Sequence, residues 1–224
     1  EDHVLLDEGA VVIYLDYEDS ASIGAGGWDT SINNSGTIVF TDSDRTATFA
    51  VGGFGVTGCR SIIGHVSGKK YAEVAYNFNA AFPSNVRNTV GVTVSSMVSG
   101  DVGDDNANEV GVRSYRYVYQ LTSSLGELDL AGTNPGIMRI AYNAGTGELW
   151  LAINGGDWGG GSFSVGDPET GSDPIVTLPD PSITHYLFAN FESSFLPLHV
   201  VTLVEHEEDM TYPIPAGFTS WATL

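Results

Sequence analysis

Apolar and polar residues alternate with a period of two in short stretches along the chain, and turn residues separate each stretch from the next. Successive side chains on a strand point to opposite faces, so this period predicts half-buried β-strands. Residues 148–153 show it most plainly: Leu149, Leu151 and Ile153 fall on one face, Glu148, Trp150 and Ala152 on the other. Gly145-Thr146-Gly147 feeds this strand, and Asn154-Gly155, which tolerate positive φ, should reverse the chain at its end. Residues 70–78 put Ala72, Val74, Tyr76 and Phe78 together, and 136–143 set Met138, Ile140 and Tyr142 opposite Arg139, Ala141 and Asn143. Further strands are predicted at 37–40, 46–51, 59–66, 89–96, 110–119, 174–178, 185–191 and 199–205. Strands joined by turns, with no helical pattern between them, indicate a two-sheet antiparallel β-sandwich rather than alternating βαβ units.

At the N-terminus Val11, Ile13, Leu15 and Tyr17 alternate with Val12, Tyr14 and Asp16, and the small residues Ser20 to Gly27 follow. That stretch reads as a flexible joint. It divides the chain into residues 1–27, an N-terminal arm or first strand, and residues 28–224, the main domain. A strand with apolar residues on both faces seeks a partner, so the arm is expected either in another subunit or in its own sandwich.

Composition agrees with the pattern. Glycine numbers 28, lysine occurs only at 69 and 70, and glutamine only at 120. The class is all-β. Eight Lys and Arg against 28 Asp and Glu leave a formal charge of −20, which repels phosphate backbones and anionic lipid and argues against nucleic-acid partners. The longest aliphatic run, Val11 to Leu15, is far too short to span a bilayer, and no signal peptide is visible, so no membrane insertion is expected. Cys59 is the single cysteine, without a disulfide partner in the chain, and its neighbours predict a small buried hydrophobe.

Five segments in order carry a family resemblance. They are Ser67-Gly68-Lys69-Lys70-Tyr71-Ala72-Glu73-Val74, Val90-Gly91-Val92, the 138–155 hairpin ending in Asn154-Gly155, Tyr186-Leu187-Phe188-Ala189-Asn190-Phe191, and Pro215-Ala216-Gly217-Phe218-Thr219-Ser220-Trp221. Together they resemble the SPRY/B30.2-like domains, jelly-roll sandwiches of the concanavalin type, and the last segment resembles the close of versions found in tailed-phage virion proteins. The resemblance covers residues 28–224. It implies a non-enzymatic module that binds protein or glycan through loops at one end of the sandwich. A virion location, with other virion proteins, copies of itself, or a host surface glycan or receptor as partners, follows from the phage-like close. One departure is the long stretch between Phe191 and Pro213, with its run Glu205-His206-Glu207-Glu208-Asp209.

The jelly roll also hosts carbohydrate-active enzymes, which need two carboxylates flanking one bond. Glu73 and Glu148 stand alone on their strands, and the 205–209 run reads as a solvated acidic turn. No Gly-x-Ser-x-Gly elbow occurs in strand-to-helix context, and His3, His65, His185, His199 and His206 lack zinc-ligand spacing. Such an enzyme, or a secreted bacterial lectin module, is the alternative reading. No cofactor is expected; calcium is the one metal considered, on Asp101, Asp104, Asp105 and Glu109 in the acidic loop 99–109, although the spacing is not that of an EF-hand. The candidate ligand- or partner-binding residues are aromatic. Tyr115, Tyr117 and Tyr119 share a strand face with Arg113, and Trp158 follows Asp157 in a glycine-rich loop, as an exposed anchor or as a lid over the sandwich edge.

Overall fold

The structure is a computed structural model and describes residues 3–7, 10–14, 26–32, 38–49, 56–77, 89–94, 107–113, 117–121, 123–129, 133–192 and 199–224. Its strands, in chain order, begin with β1 (His3–Asp7), β2 (Ala10–Tyr14), β3 (Ile38–Thr41), β4 (Thr46–Phe49), β5 (Val56–His65) and β6 (Lys69–Asn77). Next come β7 (Thr89–Val94), β8 (Val110–Arg113), β9 (Tyr117–Gln120), β10 (Ser123–Glu127), β11 (Gly136–Asn143) and β12 (Glu148–Ile153). The last are β13 (Trp158–Gly159), β14 (Val165–Gly166), β15 (Val176–Thr177), β16 (His185–Glu192), β17 (His199–Val204) and β18 (Thr219–Ser220). No α-helix occurs among the described residues, and no helix there is long and apolar enough to cross a membrane.

The hairpin foreseen at 136–153 forms with those bounds. Gly147 takes φ +79 in the connecting turn, and its N–H donates to the Asn143 carbonyl at 2.8 Å. Asn154 takes φ +52 at the far end, where its Oδ1 accepts from the Ile137 N–H at 2.8 Å. The side-chain amide thus caps the ladder it terminates.

Two sheets build the sandwich. One runs β10-β9-β8-β7-β16-β5; the other runs β15-β12-β11-β6-β17-β4-β3, with β18 adding in parallel beside the start of β6. Val74, Ile140 and Leu151 face inward from the second sheet, and Val92, Leu187 and Cys59 belong to the same fully buried core from the first. Burial pushes the Cys59 thiol up from its ordinary pKa. On the first sheet Gly91 and Gly111 lie opposite each other, and a Cβ at 111 would strike the ring of the fully buried Phe188. Glycine there leaves room for the aromatic ring against the strand.

Residues 110–119 are not one strand. They fold into β8 and β9, paired Gly111 to Tyr119 and Arg113 to Tyr117, with 114–116 outside the described residues. Val112 and Val118 both face the core, so the inward parity runs unchanged through the reversal and a period-two reading cannot detect it. The 174–178 strand shrinks to Val176–Thr177, and β1, β10, β13, β14 and β18 were not foreseen. Three of these five are two residues long, too short for any period to register. In the arm, β2 pairs with β1 rather than standing alone; the two form a sheet of their own outside both large sheets, and the joint before Gly26 lies outside the described residues.

The chain end ties the layers together. Trp221 is fully buried; its backbone N–H donates to Tyr71 O at 2.8 Å, and its indole N–H donates to Ile63 O at 3.0 Å. Its carbonyl oxygen lies 2.7 Å from His65 Nε2, which requires the proton on that nitrogen. Burial pulls the His65 pKa down to about 4, against the favourable contact with the Trp221 carbonyl. Trp221→Ala therefore removes a core side chain and one inter-sheet hydrogen bond, with an expected loss of about 3–5 kcal/mol in urea unfolding. A loss below about 1 kcal/mol would show that the terminal segment does not hold the sheets.

Candidate functional site

Strands β12, β11 and β6 lie side by side, and their outward residues form two rows. Trp150, Ala141 and Tyr71 make one row; Ala152, Arg139 and Glu73 make the next. All six alternate with core residues, which is the pattern that made these segments strands. The face is not left to solvent. Phe218 meets Trp150 edge-on at 6.3 Å, Trp158 meets Tyr71 edge-on at 6.2 Å, and Met210 and Ile214 pack beside them. A second, smaller apolar cluster therefore sits outside the main core, under the segment that runs from β17 to the chain end.

Glu73 fixes that segment. It is fully buried, and its carboxylate accepts from the Tyr71 hydroxyl at 2.9 Å, the Thr211 N–H at 2.9 Å and the Tyr212 N–H at 2.8 Å. Burial and the adjoining carboxylate push the Tyr71 hydroxyl far above its ordinary pKa, so it stays a donor. Across the ladder from Glu73 stands Arg139, whose guanidinium donates to the Gly156 carbonyl. It is stacked between two rings, 4.6 Å from the Trp158 centroid and 4.9 Å from that of Tyr212. Burial pulls the Arg139 pKa down, while Tyr71, Tyr212, Glu73 and Asp157 oppose this. Trp158 and Tyr212 are half-buried, and Asp157 is exposed. The result is a cation in contact with the rings of two half-buried aromatic residues, near an exposed carboxylate.

Trp158 is thus not an exposed loop residue. It lies on β13 and covers Tyr71, which places it nearer to the lid expectation, with part of its ring still accessible. Tyr117 and Tyr119 occupy the outer face of the other sheet, where Arg113 stacks 4.2 Å over the Tyr119 ring and Tyr117 is exposed. The two aromatic groups belong to different sheets and do not make one site. Tyr115, Asp101, Asp104 and Asp105 lie outside the described residues. Glu109 is buried and accepts from Thr93 Oγ1 at 2.9 Å. Among the described residues no three His, Cys, Asp or Glu side chains converge to hold a metal ion.

Sequence reasoning missed Arg139 and Tyr212 as a pair, because their meeting depends on where residues 210–218 cross the sheet. It also misjudged the acidic run. Glu207, Glu208 and Asp209 are exposed in a 3-10 turn, but Glu205 at the head of the run is fully buried. The strand parity of β17 carries one residue beyond its last ladder pair and turns that carboxyl inward; Val201 and Leu203 are buried in the same phase.

No protein-family model matches the sequence, and no curated protein matches it. Solved structures do match the fold. The SPRY domain of human HERC1 superposes with a TM-score of 0.59 at 15% identity, covering 83% of this chain and 99% of that one. The sandwich is SPRY-like. The TRIM65 PSpry domain gives 0.51 at 12% identity over 82% and 94% of the two chains, and a human SPRY domain gives 0.50 at 9% over 75% and 94%. At such identities the likeness establishes the fold of the SPRY-like domain and nothing about its ligand.

Within this SPRY-like frame the Glu73 cluster makes a sharp expectation. Glu73→Ala leaves the buried Tyr71 hydroxyl and the Thr211 and Tyr212 amides without an acceptor and should cost about 3 kcal/mol in urea unfolding, with Glu73→Gln restoring part of the loss through its amide oxygen. An unchanged unfolding midpoint in Glu73→Ala would remove the carboxylate from the list of elements that seat the terminal segment.

Proposed function

We propose that this chain is a non-enzymatic structural component of a virion, a SPRY-like sandwich that recognises surface glycan. The single observation that carries the recognition half is the Trp158–Arg139–Tyr212 stack beside Asp157, partly open to solvent on a rigid sheet face. Rings held this way stack on sugar rings at little entropic cost, and the adjoining carboxylate accepts from sugar hydroxyls. The charge of −20 disfavours polyanionic glycans and favours neutral or amino-bearing ones. The virion half is supported by the resemblance of the Pro215–Trp221 close to phage proteins, and contacts with other virion proteins or further copies of the chain go with it.

The non-enzymatic part rests on what the candidate carboxylates and histidines do. Glu73 is committed to three donors, and Glu148 accepts from Asn143 Nδ2 and Thr146 Oγ1 beside a turn. His185 Nδ1 sits 2.9 Å from the Tyr142 hydroxyl inside the core, and burial lowers its pKa. A glycosidase pair needs one acid held protonated next to a second at the reacting bond, and these groups serve the fold instead.

Titration against host surface glycans tests the site. Trp158→Ala and Tyr212→Ala should each weaken binding by about 2 kcal/mol, roughly 30-fold, with unchanged circular dichroism. Affinity untouched by both substitutions would clear the ridge of any role. Release of new reducing ends would favour the carbohydrate-active enzyme, and absence of the chain from purified particles would defeat the virion placement.

A further inference from the structure

Residues 26–29 form a short clip that touches both sheets. The Trp28 N–H donates to Asp44 O at 2.9 Å, in the turn between β3 and β4 of the eight-stranded sheet. On the other side Ile62 N–H donates to Gly27 O at 2.8 Å and Asp29 N–H to Arg60 O at 2.7 Å, so the clip also caps the open edge of β5 in the six-stranded sheet. Trp28 is fully buried between them. The β1–β2 hairpin precedes this clip in the chain and belongs to neither large sheet.

Beneath the clip lies Glu205. Its side chain is fully buried, and neither carboxyl oxygen makes a hydrogen bond among the described residues. A Cβ at residue 26 would overlap Glu205 Oε1, so only glycine lets the backbone come down onto the carboxyl. The carbonyl of the same residue accepts from the Ala222 N–H at 3.2 Å, next to Trp221. A carboxyl placed this way is well tolerated when neutral and costly when charged, because no donor replaces the water it has lost.

We propose that Glu205 is a proton-operated fastening for residues 26–29: with the carboxyl neutral the clip is seated across the two sheets, and with the carboxyl ionised the clip lifts from them. The groups facing it are few. From the β3–β4 turn comes Arg45, which is itself paired with Asp209 and, at 3.6 Å, with Asp42. Asp29 and Arg60, at the far side of the clip, pair with each other at 3.4 Å. The C-terminal segment brings the Ala222 N–H to the Glu205 carbonyl, and His206 follows Glu205 in the chain. The Gly27 N–H lies near the carboxyl without reaching hydrogen-bond geometry.

Burial raises the Glu205 pKa from 4.5 to about 7, with Gly27 and Arg45 opposing the rise. The seated state therefore holds the proton over a range where the lifted state has released it. Clip stability is fully present below the lifted-state value, falls as pH rises through that range, and levels off above the seated-state value.

Hydrogen exchange of the full chain reads this directly. Protection factors at the Trp28, Asp29 and Ile62 amides, corrected for intrinsic exchange, should fall by roughly tenfold or more between pH 5 and pH 8. In Glu205→Gln, which carries no ionisable group there, they should stay level. Flat protection in the unmodified chain, or the same fall in Glu205→Gln, overturns the proposal. If that variant does not fold, carbon-13 titration of the Glu205 carboxyl in the unmodified chain decides: a midpoint near neutrality supports the fastening, and one at the value of an exposed glutamate overturns it.

Discussion

Closure of this sandwich depends on Trp221. One residue donates its backbone N–H to β6 in one sheet and its indole N–H to β5 in the other, and its carbonyl engages His65 at the end of β5. Two antiparallel sheets packed face to face are held by apolar contact alone unless something crosses between them. Beside the Tyr142–His185 contact and the clip at residues 26–29, the last strand-forming stretch of the chain crosses here, and the register of β18 beside β6 and the docking of residues 205–218 go with where Trp221 is anchored. Buried polar groups demand partners, and Trp221 supplies them to both layers without leaving the core.

The same logic extends outward from β6. Tyr71 passes its carbonyl to Trp221 and its hydroxyl to Glu73, and Glu73 in turn captures the amides of Thr211 and Tyr212. The terminal segment is thereby fastened on two faces of one strand, inside the core and over the sheet. Only because Tyr212 is pinned does its ring reach Arg139 beside that of Trp158. The candidate recognition ridge is therefore a by-product of the closure, rigid because the elements beneath it are structural.

What the sequence shows of this is uneven for physical reasons. Alternation reveals which residues of 69–77, 136–143 and 148–153 face the core, because each lies within a sheet whose one face must be buried. It cannot show that 110–119 reverses, since Val112 and Val118 keep the same parity through the turn. Nor can it show that Arg139 stands opposite Glu73, a fact of register between strands far apart in the chain. Trp158 was legible as a residue of interest, yet its environment comes from Tyr71 and Arg139, neither of which is its neighbour in sequence. The Glu205–Asp209 run was read by composition, and composition averages over residues whose burial differs completely.

Glu205 also shows how the two ends of the chain come to depend on one another. Its carbonyl holds the amide next to Trp221, and its carboxyl lies under Gly26. The C-terminal strap and the N-terminal clip thus share a residue, while each independently bridges the two sheets. At the strap's anchor every polar group of Trp221 has a partner. Where clip and strap meet this is not so, for the Trp28 indole N–H and both Glu205 oxygens lack hydrogen bonds among the described residues. Local opening starts where buried groups are least compensated. The asymmetry marks the clip, rather than the Trp221 anchor, as the place where local opening starts.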